Sequence, residues 1–324
     1  MFLAWIAVAD ENVFEWEIGE GDAGRRIDKF LAAEIPDRSR AHLQKLIKDG
    51  QITVLGTTVK PSYQLTVGDI VVARVPREAE AELVPEPMPL DVIYEDDDVV
   101  AINKPAGMVV HPAPGHQAGT LVNALLAHFP ELAGLADGEE SSARWPGIVH
   151  RLDKQTSGLI LVAKHETARR FLQRQFKQRK VEKTYVALVE GQLQPSHGII
   201  DAPIGRDPRR RQRMAVRHRG GRPAQTVYHL IKYLNDCSLL SVQPITGRTH
   251  QIRVHFAAID HPVVGDHVYG YRRRRPGVRR QFLHARKLAL TLPSGETREF
   301  VAPLPADLRQ TLMDLAGGVP EELL

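Results

Sequence analysis

The chain lacks several features that define whole classes of protein. It has a single cysteine, Cys237, in 324 residues, which excludes an internal disulfide framework and any metal site built from several cysteines. No apolar run approaches the roughly 20 residues of a membrane-spanning helix. The apolar opening, residues 1–9, is too short for a signal peptide and has no basic leader. We therefore expect a cytoplasmic protein with no membrane partner.

Charge of one sign is missing or nearly missing from three segments. Residues 78–98 contain nine acidic side chains and no Lys or Arg, whereas 206–222 contain eight arginines against the single acid Asp207. Residues 272–280 add six arginines and no acid. Arginine blocks of this density favour contact with a polyanion, because each phosphate they neutralise releases counterions. The alternative is a pair of solvated charged loops.

The first part of the chain has the pattern of a small basic module. Apolar residues at helical spacing, Ile27, Phe30 and Leu31, predict a first helix. A second helix is expected to begin after the N-cap Ser39 and to end at Gly50. Two short strands are predicted to follow, at 52–54 and 70–72. The polar sides of this module carry Arg25, Arg26, Lys29, Arg38, Arg40, Lys45 and Lys48.

The remainder has the pattern of one larger domain behind a linker. Residues 77–89 are acidic and rich in proline, which predicts an extended connection. From 90 to 324 there is no comparable break. Strands are predicted at 92–94, 99–102, 184–190, 224–234, 239–244 and 251–256, and helices at 120–128 and 166–179. Because strands outnumber helices and do not alternate with them, we predict an α+β fold with a mixed, mainly antiparallel sheet.

Residues 150–159 read His-Arg-Leu-Asp-Lys-Gln-Thr-Ser-Gly-Leu and place the carboxylate of Asp153 between two basic side chains. Apolar runs at 146–149 and 159–163 flank this stretch and predict two strands joined by a turn. Turns carried on rigid strands often hold catalytic groups. A hairpin with a surface aspartate would show the same local pattern.

Six segments in a fixed order carry a family resemblance. With 150–159 they are 103–105, 183–185, 247–255, 264–266 and 283–285. Together they resemble the pseudouridine synthases that act on large-subunit ribosomal RNA. Residues 24–31 and the pair 39–40 resemble the α-L RNA-binding domain of a small-subunit ribosomal protein. The resemblance implies an α-L domain at 15–76, a linker at 77–89 and a pseudouridine synthase domain at 90–324.

The resemblance also implies an isomerase that converts uridine to pseudouridine. It assigns Asp153 as the carboxylate that acts at the ribose, either by attacking the anomeric carbon or by removing a proton from the neighbouring carbon. Tyr185 would pack against the target base and take its proton, and Arg253 would pair with the carboxylate. Arg151 would fill the space that the flipped uridine leaves. No cofactor and no metal are expected.

The expected substrate is large-subunit ribosomal RNA or a pre-ribosomal particle. Flipping a base costs a few kcal/mol, and least in a loop, so a stem-loop target is favoured. We expect the protein to act as a monomer. The RNA-binding candidates are Arg25, Arg26, Lys29, Arg40, Lys45, Arg209, Arg210, Arg211 and Arg213.

Two other functions would account for part of the sequence pattern. A non-catalytic RNA-binding or ribosome-assembly factor would explain the basic module and the arginine blocks, but not Asp153, Tyr185 and Arg253 together. A metallohydrolase would need a ligand set, and His250 and His255 lie five residues apart. That spacing does not share a helix face, and on a strand the two side chains would point to opposite sides. No His-Glu-x-x-His motif or cysteine pair supports a metal site either.

Overall fold

In the computed structural model of the protein, the chain divides into two compact units, Met1–Glu82 and Leu83–Leu324. The structure describes residues 2–8, 11–35, 38, 40–76, 83–112, 116, 118–135, 146–208, 210, 213–271, 275 and 277–323. The predicted N-cap Ser39, the RNA-binding candidates Arg209 and Arg211, and residues 272–274 lie outside this set. Within the described residues, no helix has the length and apolar character needed to cross a membrane.

The first unit is a small sheet packed against two helices. In chain order its elements are β1 (Phe2–Val8), β2 (Glu11–Glu17), α1 (Ile27–Glu34), α2 (Arg40–Lys48), β3 (Ile52–Val54), β4 (Thr57–Thr58) and β5 (Ile70–Pro76). The strand order is β1-β2-β5-β3-β4, with each pair antiparallel. As the sequence predicts, Ile27, Phe30 and Leu31 bury one face of α1, and Leu43 and Ile47 face them from α2.

The second unit is built on a nine-stranded sheet. Nine of the strands in this unit form that sheet, and β11 and β12 pair separately as a two-stranded sheet. The unit contains the strands β6 (Val92–Glu95), β7 (Val99–Lys104), β8 (Ser157–Ala163), β9 (Glu182–Glu190), β10 (His197–Asp201), β11 (Ile204–Arg206), β12 (Met214–Val216), β13 (Gln225–Leu234), β14 (Cys237–Pro244), β15 (Leu283–Thr291) and β16 (Thr297–Val301). Its helices are α3 (Leu121–His128), α4 (Glu166–Lys177), α5 (Gln251–Ala258) and α6 (Ala306–Ala316).

Strand order in the large sheet is β10-β13-β14-β9-β15-β8-β7-β6, with β16 paired to β15. Only the β15–β8 pairing is parallel among the described strands, so the predicted α+β fold with a mainly antiparallel sheet is confirmed. All seven residues of β8 are buried, because a strand in the middle of the sheet is covered on both edges and both faces. The turn that contains Asp153 leads directly into this rigid strand.

A single glycine allows β8 to lie against β15. Gly158 has φ +111°, and a Cβ built on it would lie 2.2 Å from the carbonyl oxygen of Ala285. Only glycine accepts this backbone conformation and this close approach together. Ala285 pairs with Gly158 and His284 with Ser157 in the parallel register. The start of β8, four residues after Asp153, is therefore held against β15.

The predicted strand at 251–256 is wrong, because these residues form helix α5. The segment alternates polar and apolar side chains, which is the strand pattern, but all six residues are buried in the helix. His250 precedes the helix with φ +58°, and the polar side chains find partners inside the protein. His255, for example, bonds the Thr226 hydroxyl and the Ala202 carbonyl, both at 2.9 Å.

The predicted strand at 146–149 is not formed either. One isolated bridge, between Ile148 and Val162, connects the segment to β8. Residues 149–156 are irregular and include a turn in which the amide of Thr156 donates to the carbonyl of Asp153 at 3.0 Å. The chain does fold back on itself as a hairpin would, but with an irregular first arm.

Candidate active site

A pocket of about 530 Å³ opens in the second unit at the end of the turn that precedes β8. The four residues expected to act at the target nucleotide all line it: Arg151, Asp153, Tyr185 and Arg253. Among the described residues, six Lys or Arg side chains and a single carboxylate, that of Asp153, contribute to its wall. The pocket therefore carries a strong excess of positive charge around one acid, which suits a polyanionic substrate.

Asp153 is half-buried at the bottom of the turn and accepts one strong hydrogen bond. Nη1 of Arg253 donates to its Oδ2 at 2.9 Å. The expected pairing of these two side chains is present, although Arg253 lies on a helix and not on the predicted strand. Its other carboxylate oxygen, Oδ1, lies 4.0 Å from Nε2 of His250. Oδ1 therefore remains available to a substrate.

Arg253 is itself fixed by a second carboxylate. Its Nε and Nη2 donate to the two oxygens of Asp266 at 2.6 and 2.9 Å, and the Asp266 side chain is completely buried. The amides of Val268 and Tyr269 donate to the same carboxylate at 2.8 and 3.0 Å. Burial raises the pKa of Asp266, but these bonds outweigh it and hold the pKa below its usual value.

The charge of Arg253 is equally secure. Burial acts to lower its pKa, but the bonds to Asp266 and Asp153 raise the pKa above its ordinary value. The guanidinium also lies 5.1 Å from the centre of the Tyr269 ring. Arg253 thus presents a permanent, immobile positive charge to Asp153. Neither Asp266 nor Tyr269 was assigned a role from the sequence, although 264–266 was among the segments that carried the resemblance.

Tyr185 lies on β9, between β14 and β15, and its side chain reaches the pocket. Burial, and then the negative charge of Asp153, raise the pKa of its hydroxyl well above the usual range. The phenol is therefore neutral at physiological pH and lies close enough to Asp153 to be affected by its charge. An aromatic ring with one polar atom, beside a carboxylate, suits contact with a flat nucleobase.

His250 is a further pocket residue that sequence reasoning considered only as a metal ligand. It adopts the left-handed conformation at the start of α5, and its Nδ1 lies 2.8 Å from the Tyr269 hydroxyl. Burial lowers its pKa, although the charge of Asp153 opposes that shift. No cluster of three or more potential metal ligands occurs among the described residues.

Lys104 supports the Asp153 turn from beneath and was also not assigned a role. Its side chain is completely buried, and Nζ donates to the carbonyls of Pro105 and Met108 at 2.7 and 2.9 Å, with that of Lys154 at 3.4 Å. The amide of Gly107 donates to the same Lys154 carbonyl at 2.8 Å. The loop after β7 is thereby tied to the residue next to Asp153.

The last arginine block is in part structural, which corrects the expectation that it contacts a polyanion. Arg280 is buried, forms an ion pair with Asp307 at 2.6 Å, and donates to the Gln155 carbonyl and the Ser157 hydroxyl, both at 3.1 Å. Arg275 forms ion pairs with two acids of its own, Glu190 and Asp236. These two guanidinium groups therefore make contacts within the protein, and those of Arg280 include Gln155 and Ser157, which follow Asp153 in the chain.

In the first unit, two of the RNA-binding candidates share an internal partner. Arg26 and Arg40 both donate to Asp28, whose side chain has no solvent exposure. Burial raises the pKa of Asp28, but the bonds from Arg26, Arg40 and Gln44 outweigh it and lower the pKa far below its usual value. Arg40 thus links α2 to α1, although both arginines stay partly exposed.

The other candidates in that unit differ from one another. Arg25 pairs with Asp22 and lies 5.6 Å from the centre of the Phe30 ring. Lys29 and Lys45 are exposed on α1 and α2. They are therefore the candidates of this unit whose charges remain directed to solvent.

In the second unit, the described candidates of the 206–222 block lie beside the small β11–β12 hairpin. Arg210 is exposed, and Arg213 places its guanidinium 5.4 Å from the centre of the Tyr269 ring. The amide of Met214 donates to the hydroxyl of the same tyrosine at 2.9 Å. Because Tyr269 also contacts Arg253, this hairpin is connected to the pocket wall.

Comparisons with known proteins fit this geometry. A family model described as RNA pseudouridylate synthase matches residues 98–258, and one described as S4 domain matches residues 25–71. An uncharacterized RNA pseudouridine synthase of Chloroflexus aurantiacus is 54% identical over 291 residues, 90% of each chain. Ribosomal large subunit pseudouridine synthase D of Neisseria meningitidis serogroup B is 44% identical over 302 residues, 90% of this chain and 78% of that protein. The solved structure of human RNA pseudouridylate synthase domain containing 1 has a TM-score of 0.56 and 31% identity, covering 74% of this chain and 91% of that one.

Proposed function

The chain belongs to the RNA pseudouridine synthase family, and from that premise we propose that it isomerises uridine to pseudouridine in large-subunit ribosomal RNA. An S4 domain precedes its pseudouridine synthase domain. The observation that carries the proposal is the contact between Asp153 and Arg253 at 2.9 Å, in a cationic pocket that Tyr185 also lines. A non-catalytic RNA-binding factor would have no need of this arrangement.

The reaction breaks the bond between N1 of uracil and C1′ of ribose and forms one between C5 and C1′. A proton leaves C5 and one is gained at N1, so atoms balance without water or a cofactor. Asp153 acts at the ribose as an ionised carboxylate, whether it attacks C1′ or removes a proton from C2′. Arg253 supports that role because its buried positive charge lies against one carboxylate oxygen and leaves the other free.

Tyr185 contacts the flipped base and accepts the C5 proton, directly or through the carboxylate beside it. Its raised pKa keeps the hydroxyl protonated, so as it accepts the C5 proton its own proton is released and passes to N1, which gains one in the balanced reaction. Arg151, which is exposed at the mouth of the pocket, takes the place of the flipped uridine in the RNA. A stem-loop is the preferred target because unstacking a base is easiest there.

Successive segments of the chain have different roles. Residues 15–76 act as the RNA-binding domain, 77–89 as the linker and 90–324 as the catalytic domain. The protein acts as a monomer on ribosomal RNA or a pre-ribosomal particle in the cytoplasm. Exposed Lys29, Lys45 and Arg210 supply phosphate contacts that position the RNA but do not select the uridine.

Mapping pseudouridines in ribosomal RNA tests the proposal. Cells without the gene should lack the modification at one or more large-subunit uridines, and the wild-type gene should restore it. Asp153→Asn should not restore it, although the purified variant should bind the same RNA with nearly the wild-type affinity. Unchanged modification in the deletion strain would reject the proposed function, and restoration by Asp153→Asn would reject the role of the carboxylate.

A further inference from the structure

Lys183 is an ammonium group in the pocket that has no counter-charge in the part of the chain that the structure describes. It precedes Tyr185 by two residues on β9, so the two side chains point to the same face of the strand, and both line the pocket. Lys183 is half-buried, and within the described residues no carboxylate lies at ion-pair distance from it. A desolvated cation without a partner is costly, so its presence indicates a ligand.

Arg179 is a second cation on the same wall, and its backbone is unfavourable for arginine. Helix α4 ends at Lys177, and Arg179 follows the C-cap with φ +58°. Glycine is the usual residue at this position because it has no Cβ penalty in the left-handed conformation. Arg179 therefore has a strained backbone at a position where its side chain lines the pocket, and such strain often occurs at functional sites.

The two cations act on each other. Burial, and then the charge of Arg179, lower the pKa of Lys183 to about 8. Lys183 in turn acts on His150, and burial with this charge lowers the pKa of His150 to about 3, so that the imidazole is neutral. An anion bound between Lys183 and Arg179 would relieve the repulsion. Asp153, the pocket's carboxylate, is already engaged by Arg253.

We propose that Lys183 and Arg179 form a subsite for a phosphodiester group of the RNA, next to the uridine that enters the pocket. The inference rests on the proposed function, since it assumes that the uridine lies against Asp153 and Tyr185. Two residues of strand span about 7 Å, a separation that suits a backbone phosphodiester beside the nucleotide at Tyr185. The subsite would hold the backbone in register while the base is flipped.

Single neutral methylphosphonate linkages, placed one at a time around the target uridine, test the subsite. Binding is measured in the Asp153→Asn background so that the RNA stays unreacted. One position should weaken binding about ten-fold, the size of a charge-assisted hydrogen bond. Adding Lys183→Gln should weaken binding of natural RNA by the same factor. In that variant the neutral linkage at the sensitive position should cause no additional loss of affinity. The slope of log affinity against log salt concentration should also become smaller by about one unit.

Two variants serve as matched controls. Lys180→Gln removes the same charge from an exposed residue that does not line the pocket, and should leave the methylphosphonate pattern unchanged. Lys183→Arg should restore the sensitivity to the neutral linkage. An equal penalty at every position with and without Lys183 would overturn the inference. Wild-type protein is incubated with the same natural RNA, and failure to form pseudouridine there would instead overturn the proposed function.

Arg179→Gly separates a binding role from a structural one. Glycine relieves the backbone at φ +58° while removing the charge, so the variant should unfold at a higher urea concentration and yet bind the RNA more weakly. Loss of both stability and affinity would show that the arginine serves the fold. Gain of stability with unchanged affinity would remove Arg179 from the subsite and leave Lys183 to be judged by the linkage scan.

Discussion

Arg253 donates a hydrogen bond to Asp153 at 2.9 Å although the two residues are 100 positions apart in the chain. Its other two bonds go to Asp266, which is buried and fixed by backbone amides. The position of Asp153 is therefore set by an arginine that is itself buried and held in place by Asp266. Asp266, which does not line the pocket, thus fixes the position of Asp153 through Arg253.

Replacing Arg253 should cost both activity and stability. Arg253→Met leaves the buried Asp266 without a cation, and removing one partner of a buried pair costs about 3–5 kcal/mol. Urea denaturation measures that loss, and pseudouridine formation should be undetectable. Lys287→Met is the control, because Lys287 and Glu299 form an exposed pair worth about 0–1 kcal/mol. Equal stability of the two variants would contradict a structural role for the Asp266 contact.

Tyr185→Phe should slow the chemical step while leaving the ring in place. If the hydroxyl handles the C5 proton, the single-turnover rate should fall by about 10²–10⁴, the usual contribution of a general acid or base. RNA affinity should change little, since the stacking surface remains. Tyr228→Phe, at a buried tyrosine that does not line the pocket, should turn over at the wild-type rate. A normal rate for Tyr185→Phe would remove the hydroxyl from the reaction.

Gly158→Ala should disrupt the attachment of the Asp153 turn to the sheet. The added Cβ would meet the Ala285 carbonyl at 2.2 Å, and the backbone cannot move without breaking the parallel pairing. We expect a loss of at least about 3 kcal/mol in the free energy of unfolding, with loss of activity. Gly295→Ala has a similar positive φ, +91°, but open space around it. Its cost should be the backbone strain alone, about 1 kcal/mol.

Much of this site could be predicted from the sequence because its motifs are local. Residues 150–159 identified Asp153, and apolar periodicity predicted α1 and α4 nearly to their ends. Helix α5 could not be found in the same way. Its alternation arises because Arg253 and His255 are polar yet buried, and their partners come from distant parts of the chain.

The roles of individual arginines in 272–280 also could not be predicted from the sequence. Composition cannot distinguish an exposed arginine, such as Arg279, from one that pairs with Asp307 or Glu190, because both kinds occur in one dense block. Lys183 lies in segment 183–185, which carried the resemblance, but it was assigned no role for a related reason. A lysine at the start of a strand is usually exposed, and only the folded pocket shows that this one has lost solvent without gaining an acid.

Stability should decrease below neutral pH through buried histidines. Burial lowers the pKa of His284 from 6.5 to about 4, so the unfolded chain binds a proton in that window and the folded protein does not. The stabilisation is present above pH 6.5 and is lost as the pH falls towards 4, amounting to about 2 kcal/mol at pH 5. Urea midpoints at pH 7.5 and 5 should therefore differ less in His284→Gln than in the wild type. His229→Gln, at an exposed position, should keep the wild-type difference.

Arg280 should affect the rate of the reaction without touching the RNA. Its planar fork reaches the Gln155 carbonyl, the Ser157 hydroxyl and Asp307 together, and a lysine cannot make all three contacts. Because these bonds hold the turn that follows Asp153, Arg280→Lys should shift the carboxylate, and a displacement near 1 Å can cost about 10²-fold in rate.

The matched variant is Arg275→Lys, from the same arginine block. Its guanidinium binds Glu190 and Asp236, and neither lines the pocket. Single-turnover rates and RNA affinities should be measured for both variants at the same salt concentration. A slow step with normal affinity in Arg280→Lys alone would identify Arg280 as a positioning residue. Equal rates in the two variants would mean that the turn is held in place by β8 and Lys104 without its help.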